Sequence, residues 1–159
     1  MQDVLLLFQK ILVPMDGSEH SFKALKEAAQ IARKFSGEIT LIHVYSVQPI
    51  MLPEPYTPSS PSMPILTGGE VSMLIEAAKK VGDRILEDGE QRIKATKVQV
   101  KKMLVEGHAV REIVRVANEG NYDLIVIGAR GVSHVREMLL GSVTDGVIHH
   151  TQCPVLVIK

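Results

Sequence analysis

Two glycine clusters late in the chain carry its clearest chemical signal. Residues 128–131 read Gly128-Ala129-Arg130-Gly131, and after nine further residues, 132–140, comes Gly141-Ser142-Val143. An apolar run over 123–128 leads into the first cluster, and a segment of helical character, 142–151, follows the second. Glycine lets a backbone come close to an anion, and the unpaired N–H groups that open a helix point at it with the helix dipole behind them. Phosphate is the natural ligand of such a pattern. Ser142 adds a hydroxyl donor, and Arg130 either adds charge or lies with its long stem in solvent. A plainer use of the same residues has Gly128 and Gly131 turning the chain and Ser142 capping a helix, a frequent task for serine. On these residues by themselves the two readings weigh evenly. The lysine-bearing P-loop pattern and the dinucleotide G-x-G-x-x-G are both missing, so a common kinase, GTPase or dehydrogenase site has no support.

Asp16 is the second residue of interest, in Pro14-Met15-Asp16-Gly17-Ser18 after a short apolar run. An aspartate before Gly-Ser can organise a turn through backbone N–H groups. At the end of a strand bordering a crevice it can instead face a ligand, and a divalent ion held by that ligand. His149-His150 make a poor metal pair, because adjacent helix positions point in different directions and no Cys or carboxylate follows at ligand spacing. They are read as structural. Cys153, the one cysteine, cannot bridge internally and has no dedicated base nearby in sequence; it reads as a small buried apolar residue.

The elements that must position these groups follow from periodicity. Strand-like runs occupy 10–16, 38–45, 98–105, 123–128 and 154–159, and segments with apolar residues at three- and four-residue spacing occupy 18–36, 71–94, 110–119 and 142–151. The strands are apolar throughout, which predicts an α/β fold with a parallel sheet covered by helices on both faces. In such sheets ligands bind beyond the carboxyl ends of the strands where the strand order reverses. That directs attention to Asp16, Val44 and Gly128. Residues 46–69 break the pattern with six prolines (Pro49, Pro53, Pro55, Pro58, Pro61 and Pro64) and predict a long loop, either a mobile insertion or a lid.

At 159 residues the chain fits a single domain, 1–159. Lys plus Arg and Asp plus Glu both number 18, so no overall positive field gathers nucleic acid or an acidic membrane surface, and neither is an expected partner. The apolar run 4–8 is too short for a signal core and has no basic residues before it, so a cytoplasmic location is expected. It could instead be an extra strand or a helical turn.

The spacing G-x2-G-x9-G-[S/T] over 128–142, the opening Ile11-Leu12-Val13-Pro14-Met15-Asp16-Gly17-Ser18, the strand Leu41-Ile42-His43-Val44 and the ending Cys153-Pro154-Val155-Leu156-Val157 together resemble the ATP-binding subgroup of the universal stress proteins. The resemblance implies a Rossmann-like sheet of five parallel strands in the order 3-2-1-4-5, as in adenine nucleotide α-hydrolases, with residues 1–9 as an extension and 46–69 where the family varies. It also implies an adenine nucleotide (ATP, ADP or AMP), with Mg or Mn accompanying it and Asp16 as a candidate metal ligand. Carried over by position, Gly128, Gly131, Gly141, Ser142 and Val143 cradle the phosphates, Arg130 adjoins them, Val44 meets adenine through its main chain, Asp16 faces the nucleoside, and Pro14 and Met15 line the pocket.

No second carboxylate beside Asp16 and no lysine or His-carboxylate arrangement at the glycine loop forms a machine for phosphoryl transfer. The expected function is therefore a nucleotide-dependent regulatory switch in the stress response, with at most slow ATP hydrolysis and an unidentified protein partner. An enzyme of the same fold that splits ATP between its α- and β-phosphates, and a stress-protein dimer without nucleotide, are the other readings. The apolar last strand, 155–158, would lie at the sheet edge, a pairing hazard that a homodimer through that strand resolves. The other solution is a monomer whose residues 4–8 cover the edge.

Overall fold

The apolar runs become strands because their β-branched and leucine side chains fit a covered parallel sheet; the expectation of strands apolar throughout is corrected at 99–106, an edge strand on which Gln99, Lys101, Lys102 and Glu106 are exposed. The computed structural model describes residues 7–46, 68–132 and 140–159. In chain order these form β1 (Lys10–Pro14), α1 (Glu19–Phe35), β2 (Glu38–Tyr45), α2 (Gly68–Ile93), β3 (Gln99–Glu106), α3 (Ala109–Glu119), β4 (Leu124–Gly128), α4 (Ser142–His150) and β5 (Val155–Ile158), with a 3₁₀ turn at Lys94–Thr96 after α2. The five strands pair in parallel in the order β3-β2-β1-β4-β5. The Pro-rich reading of 46–69 falls mainly on 47–67, outside the described residues. Its end is revised, since α2 begins at Gly68 rather than 71. Residues 4–6 of the apolar run at the N-terminus also lie outside the described residues; the Phe8 ring packs edge-on against Phe35 with centroids 5.4 Å apart, at the C-terminal end of α1.

Two cores sandwich the sheet. Ile11, Val13, Ile39, Leu41, Leu124 and Val126 face α1 and α2, while Leu12, Ile42, Ile125 and Ile127 face α3 and α4, as the period-two alternation of strand side chains requires. Ser18 caps α1 by accepting the Ser21 N–H at 3.1 Å, and the helix stops at Ser36 in a left-handed conformation (φ 56°), one residue before the glycine expected to end it. The second half of α2 lies close to the sheet because it carries glycines: a Cβ on Gly82 would stand 2.5 Å from Leu104 Cδ1 and 2.6 Å from His43 Cδ2. Below α3, the Glu112 carboxylate is buried and accepts from Arg115 Nε at 2.9 Å and Arg111 Nε at 3.1 Å. The Arg115 bond, ahead of that from Arg111, holds its carboxyl below the ordinary carboxylate value. Among the described residues no helix is long and apolar enough to cross a membrane.

β1 is the pivot of the site. It follows β2 in register from Lys10 against Glu38 to Pro14 against Ile42, but it pairs with β4 only through Ile11–Leu124 and Leu12–Ile125. Past those two pairs, β1 and β4 separate.

Candidate functional site

The separation of β1 and β4 opens a cleft of about 320 Å³ at the carboxyl ends of the strands. This is the place where strand order reverses, with β2 on one side of β1 and β4 on the other. All ten residues singled out from the sequence line it: Pro14, Met15, Asp16, Val44, Gly128, Arg130, Gly131, Gly141, Ser142 and Val143. Ala109 and Ile113 of α3, with Ile42 and Ile127 of the strands, supply an apolar wall.

Each glycine of the motif has its own reason. A Cβ on Gly128 would lie 2.7 Å from the backbone carbon of His20 and 2.8 Å from its oxygen, so glycine there lets the first turn of α1 sit on the end of β4. A Cβ on Gly131 would stand 2.6 Å from Asp16 Oδ2, so glycine there leaves room for the carboxylate. Gly141 closes the segment back on itself, donating its N–H to the Ala129 carbonyl at 2.8 Å. Of the 132–140 stretch between them, residues 133–139 lie outside the described residues.

Gly141, not Ser142, is the N-cap of α4, and the plainer reading of Ser142 as a cap is corrected: Ser142 is the first helical residue, exposed at the cleft. The first bond of this helix is Asp145 N–H to the Gly141 carbonyl at 2.9 Å, so the N–H groups of Ser142, Val143 and Thr144 precede it. They form the positive end of the helix dipole at the cleft.

Asp16 realises its turn reading with one oxygen. Its Oδ1 accepts the Ser18 N–H at 2.9 Å, while Oδ2 lies against Gly131. Val44 offers main chain. Along β2 the peptide groups alternate sides: Ile42 accepts from Met15 N–H at 2.8 Å on the β1 side, and Tyr45 accepts from Gly107 N–H at 2.9 Å on the β3 side. The same alternation turns the N–H and carbonyl of Val44 toward the β1 side, beyond Pro14 where β1 has ended. A strand edge without its neighbour is a place for a planar ligand to bond.

Three residues that sequence reasoning missed complete the cleft. Thr144 is buried and donates its hydroxyl to the Gly128 carbonyl at 2.7 Å, tying α4 to the end of β4. His43 bonds the Met15 carbonyl through Nδ1 at 2.7 Å. Ser21 is buried and donates its hydroxyl to the Ser18 carbonyl at 2.8 Å. A polar residue within an apolar strand, as at His43, was the one available signal.

The other flagged residues lie apart from the cleft. His149 and His150 are exposed, and each Nδ1 bonds a carbonyl one turn back, Asp145 at 2.8 Å and Gly146 at 2.7 Å. No group of three or more His, Cys, Asp or Glu suited to a metal ion occurs among the described residues. Cys153 is half-buried rather than buried; its thiol donates to the Tyr122 carbonyl at 3.1 Å, and burial, then the charge of Asp123, pushes the thiol above its ordinary value.

Comparison with known proteins gives this geometry its relatives. Universal stress protein MJ0531 of Methanocaldococcus jannaschii is 33% identical over 153 residues, covering 96% of this chain and 83% of the relative. Among solved structures, the universal stress protein UspA of Lactobacillus plantarum superposes with a TM-score of 0.78 at 26% identity, covering 96% of this chain and 99% of its own. A universal stress protein solved in complex with cAMP superposes with a TM-score of 0.66 at 25% identity, covering 96% of this chain and 98% of its own. The profile described as the Universal stress protein family matches residues 7–159. A sheet in the order 3-2-1-4-5 with helices on both faces, a glycine-lined cleft at the reversal of strand order and these matches lead to one conclusion: the chain belongs to the universal stress protein family.

Proposed function

We propose that the cleft binds an adenine nucleotide, ATP foremost, and that its occupancy serves as a regulatory signal with at most slow hydrolysis. The observation that carries this reading is the placement of two complementary surfaces in one cleft: the N–H groups opening α4 on one side, and the outward-turned peptide of Val44 on the other. In this reading the phosphates lie on Gly131, Gly141, Ser142 and Val143, and adenine lies on Val44 against Ala109 and Ile113. Gly128 supports the site through packing. Arg130, half-buried at the rim, adds positive charge. A relative of the same fold bound to cAMP supports the adenine nucleotide class.

Asp16 fits a divalent ion as one ligand only. Among the described residues Asp16 is the one carboxylate lining the cleft; its Oδ2 lies beside Gly131 and its Oδ1 is engaged by Ser18, so Mg or Mn would be held mainly by nucleotide oxygens. Such an ion would offset charge repulsion between Asp16 and the phosphates. In this reading the described cleft residues bind and orient, and none among them is placed as a general base.

The protein purified without added ligand and then denatured releases ATP or ADP in this reading, and Gly131→Val and Ser142→Ala weaken rebinding. Absence of released nucleotide together with no binding of ATP with magnesium or manganese at millimolar levels refutes it. We also infer a cytoplasmic homodimer paired through β5, whose Leu156 is 36% exposed on an edge strand. Light scattering of dilute protein at 17.5 kDa, the mass of one chain, would overturn the dimer.

A further inference from the structure

We propose that His43 is a positioning residue for the cleft, acting through the Met15–Asp16 peptide; the inference rests on the nucleotide reading above and names a determinant of that same site. A carbonyl oxygen can only accept, so the 2.7 Å contact between His43 Nδ1 and the Met15 oxygen requires the proton on Nδ1. That carbonyl belongs to the peptide leading into Asp16. With its N–H side bonded to Ile42 and its carbonyl side bonded to His43, Met15 is held at both faces of its backbone.

The ring itself has little freedom. Its Cδ2 lies 2.6 Å from the position a Cβ would take on Gly82, so α2 rests on it from above. Helix, ring and peptide thus form one packed stack, from Gly82 through His43 to Met15. Downstream, Asp16 points Oδ1 at the Ser18 N–H at 2.9 Å and presents Oδ2 beside Gly131. Rotation of the Met15–Asp16 peptide would turn the Met15 carbonyl toward the cleft and swing the carboxylate off both contacts. The phosphate end of the cleft would then gain an acceptor oxygen, and the Asp16 carboxylate would lose the orientation in which it meets the nucleoside or a metal ion held by the nucleotide. The His43 bond opposes that rotation.

The test uses the full chain, ATP with magnesium, and four variants measured by calorimetric titration: His43→Leu, His43→Asn, Asp16→Ala, and Asp16→Ala combined with His43→Leu. His43→Leu fills similar space without the donor, and His43→Asn places an amide N–H where Nδ1 stood. His43→Leu is expected to weaken ATP binding about tenfold, the equivalent of one lost hydrogen bond, and His43→Asn to stay within about threefold of the wild type. In an Asp16→Ala background, His43→Leu should add less than about twofold, because residues acting through one another are not additive. Equal losses in His43→Leu and His43→Asn, or full additivity with Asp16→Ala, would overturn the assignment and leave His43 as packing alone.

A readout without nucleotide separates the two readings. Nitrogen-15 NMR of the imidazole should show the Nδ1–H tautomer, and the Ser18 amide should exchange slowly in the wild type and faster in His43→Leu. If the wild type binds no ATP, the proposed function falls while this pair of measurements still decides the role of His43. An Nε2–H tautomer, or unchanged Ser18 exchange in His43→Leu, would sink it.

Discussion

Gly128→Ala is expected to damage the fold rather than the ligand chemistry. The added Cβ would stand 2.7 Å from the His20 backbone carbon and 2.8 Å from its oxygen, where ordinary contact begins at 3.4 Å, so α1 or β4 must retreat by about 0.7 Å. Backbone cannot swing aside as a side-chain tip can. The retreat also propagates, because α1 meets the sheet through small residues, Ala24, Ala28, Ala29 and Ala32, all buried. Overpacking of a core costs about 1–3 kcal/mol, and the rigidity of the clashing atoms places this case at about 2–3. For a chain of this length each kcal/mol moves the melting temperature by about 2–4 °C, giving a fall of about 4–12 °C. Gly141→Ala is the control. Its Cβ would meet nothing closer than Arg130 Cα at 3.4 Å, and φ of −74° suits any residue. Only the weaker capping of alanine is lost, about 0.5–1 kcal/mol. Thermal melts followed by circular dichroism, with urea titration as a second measure, compare the two. A Gly128→Ala melt within about 2 °C of the wild type, or a Gly141→Ala melt as low as that of Gly128→Ala, would refute the assignment of these glycines to different jobs.

Gly131→Ala should act on the site instead: the carboxylate 2.6 Å away must swing, the Ser18 bond is lost, and stability drops by about 1 kcal/mol while ATP affinity measured by calorimetry falls further. Thr144→Val leaves the buried Gly128 carbonyl without its donor and should cost about 1–3 kcal/mol by urea unfolding. Glu112 contributes stability that is present above its ordinary value of 4.5 and is lost as pH falls through its lowered folded value, so Glu112→Gln should flatten the acid limb of a stability-versus-pH curve. Cys153 should react with a disulfide reagent at least about tenfold more slowly in the folded chain than in urea near neutral pH, since burial raises its thiol above the ordinary 9.0.

Most strands were legible as short apolar runs, β3 only through its apolar positions Val100, Met103 and Val105 among Lys101, Lys102 and Glu106, and the family resemblance carried by the motif fixed their order. The cleft was legible for the same reason, since each of its predicted residues sits at a strand end or a helix start. What could not be read lies between elements. Nothing in the spacing separates Gly128, set by the close approach of α1, from Gly131, set by the carboxylate of Asp16; both contacts join residues more than a hundred positions apart. Thr144 looked like any helical threonine until its hydroxyl met Gly128 sixteen residues earlier. The start of α2 was placed three residues late because Gly68 and Gly69 read as loop, whereas a helix tolerates glycine in its first turn at modest cost.

The sign of the cleft emerges from how its carbonyls are used. Strand ends in a parallel sheet present oxygens as well as N–H groups, and left free those oxygens would repel a phosphate. Here the Met15 carbonyl is taken by His43, the Gly128 carbonyl by Thr144, the Ala129 carbonyl by Gly141 N–H and the Gly141 carbonyl by Asp145 N–H, at 2.7 to 2.9 Å. These four carbonyls are spent internally, and the N–H groups that open α4 are left facing the cleft. In the nucleotide reading proposed above, selectivity for an anion would therefore depend on a histidine and a threonine outside the glycine motif as much as on the glycines. Thr144→Val should then cost ATP affinity beyond its cost to stability, because the freed Gly128 oxygen adds an acceptor at the phosphate end of the cleft. Titration of this variant at a temperature where it remains fully folded measures that excess, and affinity equal to the wild type there would show that the N–H groups of α4 suffice without the occupied carbonyls.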